Sequence, residues 1–341
     1  MKAFRNYLIT TTLFLGFLSF YIPVRYQSPY PRDVGPQFDE RVRTTYINLL
    51  NERQPEIFLL GDSMLGPAVD DDVVADKLNK KTTLVSLPGT ASTIWYLMIK
   101  NNIVVAEHKP KYLVVFFRDT MMTLPGYRVT GRYFEQIDEF ASPDDTLLIE
   151  RAYINQMSPL EKFFERYFPL YGSRWTIRQS LDHYIRYPIG NAVLDCDKPC
   201  MDYAMEAVFD ESNLDVTFLS DAIGAADDYL YSDESLDFDG QVDSTFLPEV
   251  IRLCRENGIQ LVLVRMPILR YYDPATRPIG LENYMQDLSA YLKENNVPFL
   301  DFDQKDLPPE FFSDTLHLNE KGKEVFTQQL TASLLEITRT R

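Results

Sequence analysis

The chain reads as an α/β protein built on an open, mostly parallel sheet, with an inserted helical subdomain and an apolar N-terminal helix. Three observations carry that expectation. Short apolar or β-branched runs recur at Glu56–Leu60, Thr83–Leu87, Tyr112–Phe117, Gln260–Met266 and Val297–Phe302, most of them bounded by Gly, Pro, Asp or Asn. Helical patterns alternate with these runs, at about Ser92–Glu107, Ser244–Asn257, Leu281–Asn296 and Asn319–Thr338. Runs such as YLVVFF and LVLV are apolar at every position, which suits strands covered on both faces. Strands alternating with helices imply a parallel sheet, and in such sheets functional groups gather at the carboxyl ends of strands.

Taken in order, the first element is the apolar stretch Tyr7–Val24, eighteen residues without a charge, preceded by Lys2 and Arg5 and followed by Arg25. Crossing the hydrocarbon layer takes roughly 17–25 residues. A cleavable signal peptide has a shorter apolar region, about 7–15 residues, and a small-residue exit; here the exit reads FLSFYIPV. The stretch is therefore read as an uncleaved anchor over residues 1–25, with a cleaved signal and a buried helix as the competing readings. Its positive start places the N-terminus in the cytoplasm and the rest of the chain outside. A Pro-rich connector, QSPYPRDVGPQF, and a first helix occupy residues 26–54.

The main domain is expected over 55–341. Asn257-Gly258 supplies a stop for one helix, and Asn319 caps the last, with Glu320 and Glu324 near its positive end. From about 124 to 243 the alternation lapses. The first part of this insertion has helical apolar spacing, Leu160, Phe163, Phe164, Tyr167 and Phe168, beside Arg166, Arg174 and Arg178. It reads either as a lid packed on the sheet or as a surface for a partner or a membrane. The second part is acidic and lacks the Gly and Glu placement of an EF-hand, so it reads as a solvated loop rather than a calcium site.

Composition narrows the function classes. A net charge of −16 argues against a nucleic-acid backbone as partner. Cys196 and Cys200, in CDKPC, suit a small disulfide loop outside the cytoplasm, with Cys254 a buried free thiol. His108, His183 and His317 are far apart, and zinc-type spacing is absent. No metal and no cofactor is expected.

The chemistry centres on EIFLLGDSMLGP, where an apolar run stops at Gly61-Asp62-Ser63. This is either an ordinary strand end or a presented nucleophile. A serine hydroxyl needs a base, and the base benefits from a carboxylate that holds its tautomer. Asp314 and His317, three residues apart in FFSDTLHLNEKG, offer both just before the last helix. His108 ends a helix and His183 lies within the insertion, which makes them poorer bases.

Gly61-Asp62-Ser63 after the first strand, Gly89 in SLPGTAS after the second, and Asp314-x-x-His317 before the last helix resemble three of the four blocks of the SGNH/GDSL hydrolase superfamily. That resemblance covers residues 55–338 and implies a flavodoxin-like three-layer α/β/α fold. It implies Ser63 as nucleophile, His317 as base and then acid, and Asp314 as the residue orienting it. The oxyanion would be held by the backbone N–H groups of Ser63 and Gly89. The remaining block, usually Gly-x-Asn-Asp, reads VVFFRDTMM here, with Arg118 in place of the asparagine donor. Arg118 is then a third oxyanion donor, a binder of an anionic part of the substrate, or the partner of Asp119 in a structural ion pair.

In layout the chain resembles membrane-anchored proteins of alginate O-acetylation and of teichoic acid D-alanylation, which work beside a membrane-bound O-acyltransferase. The expectation is a single-pass, extracytoplasmic serine O-acyltransferase that modifies a cell-surface glycan through an acyl-enzyme. A GDSL-type carboxylesterase or lipase, and a non-catalytic assembly protein with the same fold, are the alternatives.

Overall fold

The computed structural model describes residues 2–339 apart from 28–29, 37–40, 130–132, 175, 179, 182–183, 185–196, 198–199, 202–223, 225, 272 and 304–306. Its principal elements, in chain order, are α1 Lys2–Tyr26, α2 Arg41–Arg53, β1 Ile57–Gly61, α3 Asp71–Leu78, β2 Thr82–Ser86, α4 Ser92–Met98, β3 Tyr112–Phe117, α5 Pro159–Tyr167, α6 Leu247–Glu256, β4 Gln260–Arg265, α7 Leu281–Glu294, β5 Phe299–Asp301 and α8 Glu320–Arg339. By contacts the chain divides into two units, residues 1–35 with 153–226, and residues 36–152 with 227–341.

The second unit holds the sheet. All strand pairs are parallel and the order is β2-β1-β3-β4-β5. This is the flavodoxin-like order, in which the chain switches direction between β1 and β3 and leaves a crevice at their carboxyl ends. Every residue of β1 and of β3 is buried, because helices cover both faces. On one face Ile57 and Leu59 stand beside Tyr112 and Val114, which stand beside Gln260 and Val262; α3 and α8 close over this face with Val74, Leu78, Phe326, Leu330 and Leu334. The other side is covered by α2, α4 and α6, with the Tyr96 and Phe246 rings stacked 4.5 Å apart.

Local chemistry explains the element boundaries. The Asp70 side chain caps α3 by accepting from the Val73 N–H at 3.1 Å, a start signal in the DDDVV run that the strand-helix reading passes over. The Asn319 side chain accepts from Lys321 and Gly322 at 3.1 Å each, which caps α8 as expected. The expected helix at Ser92–Glu107 is regular only to Met98 and continues as a π-helical turn over Ile99–Ile103. The expected helix at Ser244–Asn257 begins later, at Leu247, with Pro248 in its first turn, where proline costs no hydrogen bond.

At the carboxyl edge, Arg265 ends β4 inside a buried ionic cluster. Its Nε donates to Asp119 at 2.9 Å, and its guanidinium also meets Asp301 at 3.3 Å and Asp303 at 3.0 Å. These contacts tie together the ends of β3, β4 and β5. Burial alone would raise the Asp119 carboxyl, but Arg265, the Tyr231 hydroxyl and Arg118 outweigh it and hold it below the usual carboxylate range.

In the first unit, α1 is long and apolar enough to cross a membrane, a property shared by anchors and signal sequences. The segment after it is bonded to the aromatic helix α5: Arg32 pairs with Glu165, its N–H donates to Arg166 O at 3.0 Å, and the Tyr30 hydroxyl meets Ser173 Oγ at 2.9 Å. A Ser158–Glu161 capping box starts α5, and Leu160, Phe163 and Tyr167 are exposed along it. Cys200 is disulfide-bonded, Cys254 of the second unit is a buried free thiol, and Cys196, like His183, lies outside the described residues.

Candidate active site

The site forms where β1 ends. A Cβ on Gly61 would lie 3.1 Å from Leu65 Cβ and 3.1 Å from Phe116 Cβ, so a larger residue would push against both where β1 turns beside β3. Asp62 then shapes the turn. Its carboxylate accepts from the Met64 N–H at 3.0 Å, and its carbonyl accepts from the Leu65 N–H and from Ser86 Oγ. Burial pushes the Asp62 carboxyl above the usual range, against the pull of the Met64 amide, Arg128, Arg118 and His317. Ser63, half-buried, follows at the crevice.

His317 comes from the other end of the chain. Its loop is clamped by Ser313 N–H to His317 O at 2.9 Å, by the bridge between Phe312 and Leu318, and by Leu269 and Arg270 amides on Thr315 O at 3.1 Å. Asp314 Oδ1 accepts from the Leu316 and His317 amides at 2.7 Å each, and its Oδ2 meets His317 Nδ1 at 2.7 Å. A carboxylate opposite Nδ1 requires the proton there, so Nε2 presents a lone pair. Nε2 lies 3.2 Å from Ser63 Oγ. Burial would raise the Asp314 carboxyl, but the two amides and the imidazole outweigh it and hold it below the usual range.

Gly89 sits in the turn Leu87-Pro88-Gly89-Thr90, closed by the Thr90 N–H on Leu87 O at 3.2 Å. Proline at the second position and a φ of 76° at the third are the requirements of a type II turn. Among the described residues neither the Ser63 nor the Gly89 N–H meets a protein acceptor, so both donors are unspent.

Arg118 follows β3. It stands one residue beyond the carboxyl end of β3, the neighbour of β1, whose own end leads to Ser63 two residues on. It does not form the ion pair with Asp119 that adjacency suggests; Asp119 is hydrogen-bonded to Arg265 and Tyr231 instead. At this junction Arg118 is extended and Asp119 turns to a φ of 45°.

Sequence reasoning missed Arg128 and Tyr133. Tyr133 packs over Gly89, where an added Cβ would come within 2.8 Å of its Cε1, and Arg128 lies over the Tyr133 ring at 5.4 Å. No local pattern marks Tyr133, whose contact with Gly89 runs across the fold. His108 is exposed on a loop and remote in the fold from Ser63, with its N–H on Asn51 Oδ1. A cavity of about 990 Å³ lined by Arg265, Arg277, Met285, Asp301 and Asp303 contains none of the triad residues. Among the described residues no cluster of three His, Cys, Asp or Glu is arranged to hold a metal ion.

No family model and no curated protein matches the chain. Among solved structures it is similar to a GDSL-like lipase from Bacteroides thetaiotaomicron, at 11% identity over 87% of this chain and 97% of that one, with a TM-score of 0.41. It is also similar to a family two carbohydrate esterase from Clostridium thermocellum, at 11% identity over 82% of this chain and 62% of that one, with a TM-score of 0.33. Likenesses this remote do not bear on what the chain does.

Proposed function

We propose that the protein is a serine acyl-transfer enzyme of the SGNH type, held at a membrane by α1 with its α/β domain outside the cytoplasm. The observation that carries the chemistry is the line Asp314 Oδ2, His317 Nδ1, His317 Nε2, Ser63 Oγ, with gaps of 2.7 and 3.2 Å across it. In the reaction His317 Nε2 takes the Ser63 proton as Oγ attacks the carbonyl carbon of an acyl ester. The carbonyl oxygen becomes an oxyanion and accepts from the Ser63 and Gly89 N–H groups, which need no reorganisation to meet it. Collapse expels the alcohol, which leaves with the proton from Nε2, and the acyl group stays on Oγ. An acceptor hydroxyl then gives its proton to Nε2 and attacks the acyl carbon, and Ser63 is regenerated.

The acceptor in this reading is a hydroxyl of a cell-surface glycan, and the acyl group is supplied by a membrane-bound O-acyltransferase. The membrane setting is supported by α1 and by the exposed aromatics of α5, a helix bonded to the segment that leaves α1. The esterase alternative, with water as acceptor, is favoured by one observation: 28% of the His317 and 51% of the Asp314 side-chain surface is exposed, so water reaches the base.

The test uses the full chain in detergent or nanodiscs. A fluorophosphonate probe is expected to label the protein, and Ser63→Ala to abolish labelling. Equal labelling of the variant removes Ser63 as the nucleophile. Acetyl transfer from a 4-nitrophenyl ester to an oligosaccharide in excess of release to water supports transfer; release alone supports the esterase.

A further inference from the structure

Among the described residues two guanidinium groups beside this site form no ion pair, although Asp62 acts on both through space. The chain carries 50 acidic residues against 34 Lys and Arg, so an arginine without an acidic partner is out of keeping with its surroundings. Arg118, just past the carboxyl end of β3 and next to the strand that leads to Ser63, is only 5% exposed, yet among the described residues its side chain makes no hydrogen bond and no ion pair. Burial works against its charge, but Tyr231, Asp119, Tyr127 and Asp62 outweigh that through space, so it is the N–H donors rather than the charge that stand unspent. None of its nitrogens is among the sealed, unpartnered polar atoms, so each keeps some contact with solvent.

Arg128 lies against the ring that packs on the oxyanion turn. Its backbone is held at a φ of 57°, and its guanidinium lies 5.0 Å from the Tyr127 ring centroid and 5.4 Å from that of Tyr133, the ring that packs on Gly89. It too has no hydrogen bond or carboxylate partner among the described residues, and the two aromatic faces leave its N–H edge free to donate. Both arginines act through space on the buried Asp62, next to Ser63. Asp119, the other carboxylate near Arg118, is already engaged by Arg265 and Tyr231.

We propose that Arg118 and Arg128 form an anion-recognition subsite beside Ser63, and that the molecule giving or receiving the acyl group carries a carboxylate or phosphate close to the reacting hydroxyl or ester. The subsite rests on the reading of Ser63 as nucleophile for its role in turnover, but its ligand binding does not. Guanidinium forks bind planar or tetrahedral oxyanions through two parallel N–H···O bonds, which fixes position as well as charge. A third oxyanion-hole donor would behave differently, because it would act on every ester alike.

The experiment measures binding by calorimetry on the full chain carrying Ser63→Ala, so that chemistry plays no part. The probes are an oligogalacturonate, glycerol 3-phosphate and a neutral oligogalactose. The anions are expected to bind more tightly than the neutral sugar, and Arg128→Gln and Arg118→Met each to weaken anion binding about tenfold, the worth of one charge-assisted contact. Arg128 is partly exposed, so its variant keeps the test valid if Arg118→Met fails to fold. Oligogalacturonate alone binding identifies a carboxylate glycan; glycerol 3-phosphate alone identifies a phosphate-bearing acceptor. Equal binding of the neutral sugar, no binding of either anion, or anion binding unchanged within twofold by Arg128→Gln overturns the proposal. So does an Arg118→Met protein that binds anions as before but loses kcat equally on neutral 4-nitrophenyl acetate and anionic 4-nitrophenyl succinate. Fluorophosphonate labelling of the same protein with Ser63 intact reports separately on the nucleophile.

Discussion

Replacing Asp314 by Asn tests whether the carboxylate sets the state of the base. In the native loop Oδ1 accepts from two amides and Oδ2 faces His317 Nδ1, all at 2.7 Å. The asparagine oxygen can keep the two amides, which leaves its NH2 opposite Nδ1. That nitrogen must then accept, and the ring proton moves to Nε2, facing Ser63 Oγ at 3.2 Å, where it cannot take the serine proton. Restoring the productive tautomer forfeits a charge-assisted bond of about 1.5–3 kcal/mol and sets two donors face to face at a further ~1–3 kcal/mol, or about 10²–10⁴ in rate. Because half of the Asp314 side chain is exposed, solvent screens part of this, and a loss of about 10²–10³ is expected. The assay is the second-order rate constant for fluorophosphonate labelling of the full chain, with thermal melting alongside. A loss below about fivefold with unchanged melting refutes the tautomer argument, since the asparagine would then serve as well as the carboxylate.

Other outcomes follow from the same geometry. Gly89→Ala meets both a φ of 76° and the Tyr133 ring at 2.8 Å, so labelling should fall by about 10²-fold as the oxyanion turn is displaced; wild-type rates would show that its N–H is not used. Arg265→Met leaves Asp119, Asp301 and Asp303 facing one another and should cost about 3–5 kcal/mol in denaturant unfolding, with less than 1 kcal/mol contradicting the role of the cluster. The Asp303 carboxyl is pushed up to about 6 by burial, with Asp119 and Asp301 adding to it against Arg265 and Arg277. Its folded value lies above its unfolded one, so its contribution to stability is full below about pH 4 and is lost as pH rises through about 6. Asp303→Asn does not titrate, and its stability relative to wild type should climb by up to ~3 kcal/mol between pH 4 and 7. A pH-independent difference in unfolding midpoints contradicts this.

Much of the scaffold was legible beforehand because the signals are local. Tyr112–Phe117 is a strand over the residues its apolar run marks, and the other four strands differ from expectation by one or two residues at their ends. Asn319 caps the last helix from a position its side-chain chemistry advertises. Short capped elements such as α3 escaped, since eight residues carry too little periodicity beside a stronger neighbouring pattern. The π-helical turn at Ile99–Ile103 escaped because its composition is that of an ordinary helix.

By itself the sequence determined an alternating α/β chain with Gly61-Asp62-Ser63 at one strand end and Asp314-x-x-His317 before the last helix. Those are properties of neighbouring residues, and propensity, capping and turn chemistry act over a few positions. Only the tertiary structure decided that Ser63 and His317, separated by 254 positions, lie 3.2 Å apart. It also decided that Asp119 bonds to Arg265, 146 positions away, rather than to its neighbour Arg118. Charges choose partners by distance in space, and that distance follows from strand order and register, which no stretch of the chain specifies alone.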